Sequence, residues 1–149
     1  MIQETETNIN NKKLAIWKTV NGRSIQYSLQ DGFNRIGTIT LVIGYVYNNY
    51  VDSNVYCQYI EDNYNKSRDK LVYISGLLIY KDYRGKGFGR SLLHHVLNEL
   101  KGYVVMLHAQ TMDYDTMNNE SLCKFYQSEG FEFASFDKRS KCLMINNNI

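Results

Sequence analysis

Leu71-Val72-Tyr73-Ile74-Ser75-Gly76-Leu77-Leu78-Ile79-Tyr80 runs directly into Lys81-Asp82-Tyr83-Arg84-Gly85-Lys86-Gly87-Phe88-Gly89-Arg90, and that into Ser91-Leu92-Leu93-His94-His95-Val96-Leu97-Asn98-Glu99-Leu100. The first ten residues are an apolar run rich in β-branched and aromatic side chains, as expected of a central strand buried on both faces. In the last ten, Leu92, Leu93, Val96, Leu97 and Leu100 recur at helical spacing, and Gly102 follows where a helix-ending glycine belongs. Between them stand three alternating glycines and the cations Arg84, Lys86 and Arg90. Glycines let backbone approach a ligand, and the first N–H groups of a helix have no intrahelical acceptor. Such a junction suits an anion, above all a phosphate.

The same residues exclude two common phosphate motifs. The Gly-x-x-x-x-Gly-Lys-Ser/Thr pattern is absent. Gly-x-Gly-x-x-Gly, begun at Gly85, requires a glycine where Arg90 stands. Two other readings remain. Lys86-Gly87-Phe88-Gly89 opens the RNP1 pattern of RNA-binding RRM domains, although Arg90-Ser91-Leu92-Leu93 continues as helix, not strand. A tight turn with no ligand is the bland alternative.

Upstream, Leu14 to Val20, the turn at Asn21-Gly22, Ser24 to Leu29, the turn at Asp31-Gly32 and Ile36 to Tyr47 read as an antiparallel meander. Residues 1–11 are polar and read as a flexible arm. Residues 48–70 read as a long irregular connection, with a short strand or helix open around Val55 to Ile60. Downstream, Tyr103 to Ala109 reads as a strand, Gln110 to Asn118 as a loop and Asn119 to Glu129 as a helix stopped by Gly130. Phe131 to Phe136 and Lys141 to Ile145 read as a closing strand pair joined by a turn at Asp137 to Ser140. This order is that of one mixed α/β domain.

Composition narrows the function classes. The 149 residues are 44% hydrophobic and 21% charged, with a formal net charge of +2. Near-neutrality argues against a nucleic-acid-coating protein. The polar start lacks a signal-peptide core, and apolar runs such as Ile39 to Tyr47 are too short to span a bilayer, so a soluble cytoplasmic protein is expected. Cys57, Cys123 and Cys142 are odd in number and scattered, so neither a disulfide framework nor a zinc site is expected, and no metal is. His94 and His95 are neighbours on a helix and His108 stands at a strand end; surface or satisfied core histidines are the expectation.

Arg84, Gly87 and Gly89 fill the fixed positions of Gln/Arg-x-x-Gly-x-Gly/Ala, the signature of the GNAT superfamily of acetyl-CoA-dependent N-acetyltransferases, which this chain resembles over roughly residues 71–136. Asn119, Tyr126, Gly130 and Phe131 match the spacing of a second family motif; Leu122 is larger than its usual alanine. The resemblance implies a single GNAT-like domain over 1–149, with a mostly antiparallel sheet flanked by helices. Typical members wall the acceptor site with two helices between their first two strands. No helical period is visible at 12–47, so a trimmed variant without them is one reading.

The resemblance also implies roles. Backbone N–H groups of Gly85, Lys86, Gly87, Phe88, Gly89 and Arg90, with Arg84, would hold the pyrophosphate of acetyl-CoA. Leu77, Leu78 and Ile79 would pair with the pantetheine arm, and Asn119 would contact that arm or cap its own helix. Tyr126 would be the general acid that protonates the leaving thiolate, against the reading of a plain core tyrosine. No base is named: Tyr73 and Ser75 stand where some relatives carry a glutamate, Glu61, Asp62, Asp113 and Asp115 lie in loops, and a water chain is open. The acceptor would be a small-molecule amine or a protein lysine, with nucleic acid and membrane not expected and a homodimer open. A CoA-binding or protein-binding module without catalysis is the alternative.

Overall fold

The computed structural model describes residues 2–46, 52–109, 118–134 and 142–149. Within them lie eight strands and three α-helices: β1 (Ile2–Ile9), β2 (Lys12–Asn21), β3 (Ser24–Asp31), β4 (Asn34–Ile43), α1 (Ser53–Tyr64), β5 (Leu71–Ile79), α2 (Phe88–Glu99), β6 (Val104–His108), α3 (Asn119–Ser128), β7 (Glu132–Phe133) and β8 (Leu143–Asn147). This is a mixed α/β, mostly antiparallel fold, as the family resemblance implies. Two compact units divide it, and β5 contributes to both.

The first unit holds β1 to β4, residues 74–79 of β5, and α2; its strands lie in the order β1-β2-β3-β4-β5. Gly22 and Gly32, both at φ 60°, take the first loop position of the two-residue turns closed by Asn21 with Ser24 and by Asp31 with Asn34. A type II′ turn wants glycine there. The register sets Leu14, Ile16, Ile25, Tyr27, Leu29, Ile39 and Leu41 on one face, all buried. The apolar stripe of α2, with Leu92, Leu93 and Val96 fully buried, belongs to the same core. Glu99 fastens the far end of α2. It accepts from the Tyr27 hydroxyl at 2.9 Å and from Lys18 Nζ at 3.0 Å, and meets His95 Nε2 at 2.9 Å. Burial pushes the Glu99 carboxyl up, but these hydrogen bonds and the charges of Lys18 and His95 outweigh it and leave the carboxyl lowered.

Two expectations in this unit are corrected. Residues 2–9 are a strand, not a flexible arm, paired with β2 from Ile2 against Thr19 to Ile9 against Lys12. The turn is Asn10-Asn11, both left-handed at φ 56° and 63°, conformations asparagine tolerates. β1 is an edge strand with only Ile9 buried, so it carries no apolar alternation to read. The second correction concerns β5, which is buried only from Leu71 to Ile74; beyond the small pair Ser75-Gly76 it opens, and Leu78 is 44% exposed. Helix α2, in turn, removes the RNA-binding reading, which needs a strand after Gly89.

The second unit holds α1, residues 71–73 of β5, β6, α3, β7 and β8, with strand order β6-β8-β7. Much of the expected irregular connection is helix α1. Asp52 caps it by accepting from the Asn54 N–H at 2.7 Å, and Asn65 ends it in the left-handed region. Its Tyr56 and Ile60 pack with Leu71, Tyr73, Val104, Met106, Leu143 and Ile145. That apolar face is narrow and tyrosine-rich, so its helical period is faint in sequence. The expected turn at Asp137 to Ser140 lies outside the described residues.

Gly37 on β4 shows how closely β5 is held. A Cβ there would lie 2.6 Å from the Leu78 carbonyl oxygen and against Ile79 Cδ1. Backbone cannot move aside cheaply, so Gly37→Ala is expected to destabilise the protein by about 1–3 kcal/mol, measured by urea unfolding. An unchanged unfolding midpoint would contradict this packing.

Candidate active site

In the first unit, the strand-to-helix junction is built from backbone. The Tyr80 N–H donates to the Ile36 carbonyl at 2.9 Å, a single 3-10 turn over Lys81–Tyr83 follows, and Arg84 leaves it extended. Arg84 Nε donates to the Ile79 carbonyl at 2.8 Å, folding the side chain back on the end of β5. Gly85 and Gly87 then turn at φ 75° and 84°, and nothing lies within 4 Å of where either Cβ would stand. Both are glycines for their backbone conformation, and both leave open space above the loop. Gly89 differs: a Cβ would make an ordinary contact, 3.4 Å from Ile79 Cγ1, so space alone does not require glycine there.

Gly87 is also the N-cap of α2, and it has no side chain to cap the helix. The Ser91 N–H to Gly87 carbonyl bond, 3.1 Å, closes the first turn. The N–H groups at the helix start thus have no intrahelical acceptors and carry the positive end of the dipole. Phe88 anchors the junction, buried and edge-on to Tyr83 with ring centroids 6.1 Å apart. Lys86 and Arg90 are exposed, and the Lys86 carbonyl accepts from Asn10 Nδ2 at 2.9 Å. A diphosphate therefore fits the cradle: open backbone at two left-handed glycines, a bare helix start, and cations around it.

In the second unit, α3 is capped by Asn118, whose side chain accepts from the Ser121 N–H at 2.8 Å. Asn119 is therefore the exposed first residue of the helix and not its cap. Tyr126 is buried, with the rings of Phe125 and Phe131 edge-on at 5.2 and 5.5 Å. Burial pushes its phenol up to about 12. Gly130, at φ 93°, turns the chain so that the Phe131 N–H reaches the Tyr126 carbonyl at 3.0 Å.

Residues 34–133 match the family described as acetyltransferase (GNAT) domain. The chain belongs to the GNAT acetyltransferase family. No curated protein matches the sequence. Among solved structures it is similar to an acetyltransferase from Thermus thermophilus, at 18% identity and TM-score 0.56 over 85% of this chain and 66% of that one. It is similar to the acetoin utilization protein from Exiguobacterium sibiricum, at 11% identity and TM-score 0.65 over 99% and 86%. It is also similar to Arabidopsis thaliana Naa50, solved with the bisubstrate analogue CoA-Ac-MVNAL, at 23% identity and TM-score 0.51 over 80% and 70%. At these identities the likeness is one of fold. The chain spans about two thirds of the Thermus protein.

The remaining sequence candidates of this GNAT chain separate clearly. Leu77, Leu78 and Ile79 form the open half of β5. Ser75 donates to the Thr40 carbonyl at 3.2 Å. Glu61 and Asp62 are exposed on α1, with Asp62 accepting from Gln58 Nε2 at 2.8 Å; Asp113 and Asp115 lie outside the described residues. His95 is the satisfied histidine of the Glu99 cluster and His94 is exposed. Among the described residues no three His, Cys, Asp or Glu side chains are grouped to hold a metal.

One pair was not legible in sequence. The Tyr73 hydroxyl lies 2.6 Å from His108 Nδ1, with the rings edge-on at 5.5 Å. Burial first, and then nearby Cys142, push the Tyr73 phenol up to about 12, so the hydroxyl keeps its proton. The two are 35 residues apart, and no spacing rule joins them.

Proposed function

We propose that this chain transfers the acetyl group of acetyl-CoA to a primary amine, on a small molecule or a protein lysine. The observation that carries the reading is the glycine cradle at the start of α2, with Gly85 and Gly87 left-handed and open. Backbone N–H groups and the dipole would bind the diphosphate there, with Arg84, Lys86 and Arg90 adding charge. The open edge of β5 at Leu77, Leu78 and Ile79 would take the pantetheine amides as an added strand, and Asn119 would contact the same arm.

In the reaction the amine nitrogen forms a bond to the thioester carbonyl carbon. The tetrahedral oxyanion collapses, the carbon–sulfur bond breaks and the CoA thiolate takes the Tyr126 proton; the proton that the nitrogen loses goes to solvent water, and Tyr126 takes one back from solvent before the next turnover. A phenol at about 12 is a weak donor. The phenol lies above a thiol even in water, by about 1.5 in pKa, so the transfer relies on positioning. Burial also keeps Tyr126 protonated across the whole neutral range, as a general acid must be.

Calorimetric titration with acetyl-CoA is expected to show binding by wild type and at least about tenfold weaker binding by Gly87→Asp. That change sets a carboxylate at the N-cap, where it would take the same N–H groups. Equal affinities would remove the cradle from the site.

Thiol release from acetyl-CoA with a panel of primary amines tests the chemistry. Tyr126→Phe is expected to bind acetyl-CoA as wild type does and to lose about 10²-fold or more in kcat. An unchanged kcat would mean that the thiolate leaves without Tyr126. Binding by wild type without thiol release would favour a CoA-binding module.

A further inference from the structure

The geometry points to Asn10, at the tip of the β1–β2 hairpin, as a positioning residue for the diphosphate cradle: its side chain holds the Lys86 carbonyl toward the hairpin and so aims the Gly87 N–H away from it, at the ligand. This rests on the reading of the cradle given above and assigns a role there to the N-terminal hairpin.

The turn does not by itself require asparagine. Asn10 and Asn11 are the two loop residues between Ile9 and Lys12, at φ 56° and 63°. Two positive φ angles make a type I′ turn, which glycine or aspartate would fit as well. Of the three, only asparagine brings an N–H donor. Asn10 spends it on a backbone carbonyl 76 positions away in the chain, from Nδ2 to the Lys86 oxygen at 2.9 Å. A carbonyl can only accept, so the amide must present its nitrogen there. A second contact places the hairpin tip beside the same loop. Lys12 bonds Asp31 at 2.5 Å, and its ammonium is raised chiefly by Asp31 and more weakly by Tyr83, in the turn that leads into the cradle.

Peptide planarity carries the effect to the ligand. In a trans peptide the C=O and the N–H point in opposite directions within one plane. A Lys86 carbonyl held toward the hairpin therefore leaves the Gly87 N–H pointing away from it. Nothing lies within 4 Å of where a Gly87 Cβ would stand, so there is room for an anion. Lys86 sits between Gly85 and Gly87, both left-handed. Without an anchor its peptide to Gly87 can turn over, because glycine takes either sign of φ at similar cost. A turned peptide would offer a carbonyl oxygen to the diphosphate and repel it. The Asn10 amide thus decides whether the middle of the loop presents a donor or an acceptor.

The test compares Asn10→Gly and Asn10→Asp in the full chain with Asn11→Gly, the matched change at the other position of the turn. All three residue choices suit the turn, and urea unfolding checks that each variant keeps its fold. Calorimetric titration with acetyl-CoA is expected to give both Asn10 variants a Kd about threefold to tenfold above wild type, the worth of one hydrogen bond. Asn11→Gly is expected to bind as wild type does. In thiol release the KM for acetyl-CoA is expected to rise by the same factor in the Asn10 variants, with kcat at saturation unchanged. Without ligand, the 15N amide signal of Gly87 is expected to move in both Asn10 variants. If wild type binds acetyl-CoA and folded Asn10 variants bind it as tightly, the inference is overturned while the cradle stands. If Asn11→Gly weakens binding as much as Asn10→Gly, the turn and not the Asn10 amide is responsible, and the inference is overturned. If wild type binds no acetyl-CoA, the cradle reading itself fails and the inference with it.

Discussion

A helix that begins on a residue without a side chain is the constraint on which the candidate site depends. Most helices satisfy their first N–H groups with a Ser, Thr, Asp or Asn at the N-cap. The other two α-helices here do so, with Asp52 and Asn118. α2 starts on Gly87 and leaves those donors for something else. Its stability has to come from packing, and Leu92, Leu93 and Val96 are fully buried for that purpose. The other end is held by Glu99, through Tyr27, Lys18 and His95. A helix anchored along its length and at its far end can keep its start open, and an open start is what a diphosphate requires.

The positions of the glycines follow from the same need. Gly85 and Gly87 carry positive φ, where a Cβ is strained whatever the space around it. Gly37 is a glycine for another reason, the close approach of β4 to β5. Together they bring the open half of β5 and the bare helix start into one continuous backbone surface within the first unit. Arg84 contributes by bonding the Ile79 carbonyl, which fixes the loop to the strand that leads into it.

Much of this was legible in sequence because the signals were local. Gly22, Gly32, Gly87 and Gly130 each stand where the chain must turn, and the Leu92 to Leu100 stripe has a helical period. What was not legible depended on weak or distant signals. β1 alternates among polar residues and turns on Asn10-Asn11, so nothing apolar marked it as a strand. α1 buries a narrow face centred on Tyr56 and Ile60. The second half of β5 is apolar yet exposed, which apolarity cannot reveal. The pairing of Tyr73 with His108 is a product of neighbouring strands and has no footprint in spacing. For the candidate site, the glycine cradle lay in one contiguous motif, whereas the contact of Tyr73 with His108 shows only in three dimensions.

The candidate site stands or falls with diphosphate binding by the backbone at the start of α2. Amide chemical-shift mapping by 15N NMR tests it directly, by comparing CoA with pantetheine, which lacks the diphosphate. The amides of Gly85, Gly87, Phe88 and Gly89 are expected to move on addition of CoA and to stay in place with pantetheine. Shifts elsewhere in the chain with these four unmoved by CoA would contradict it.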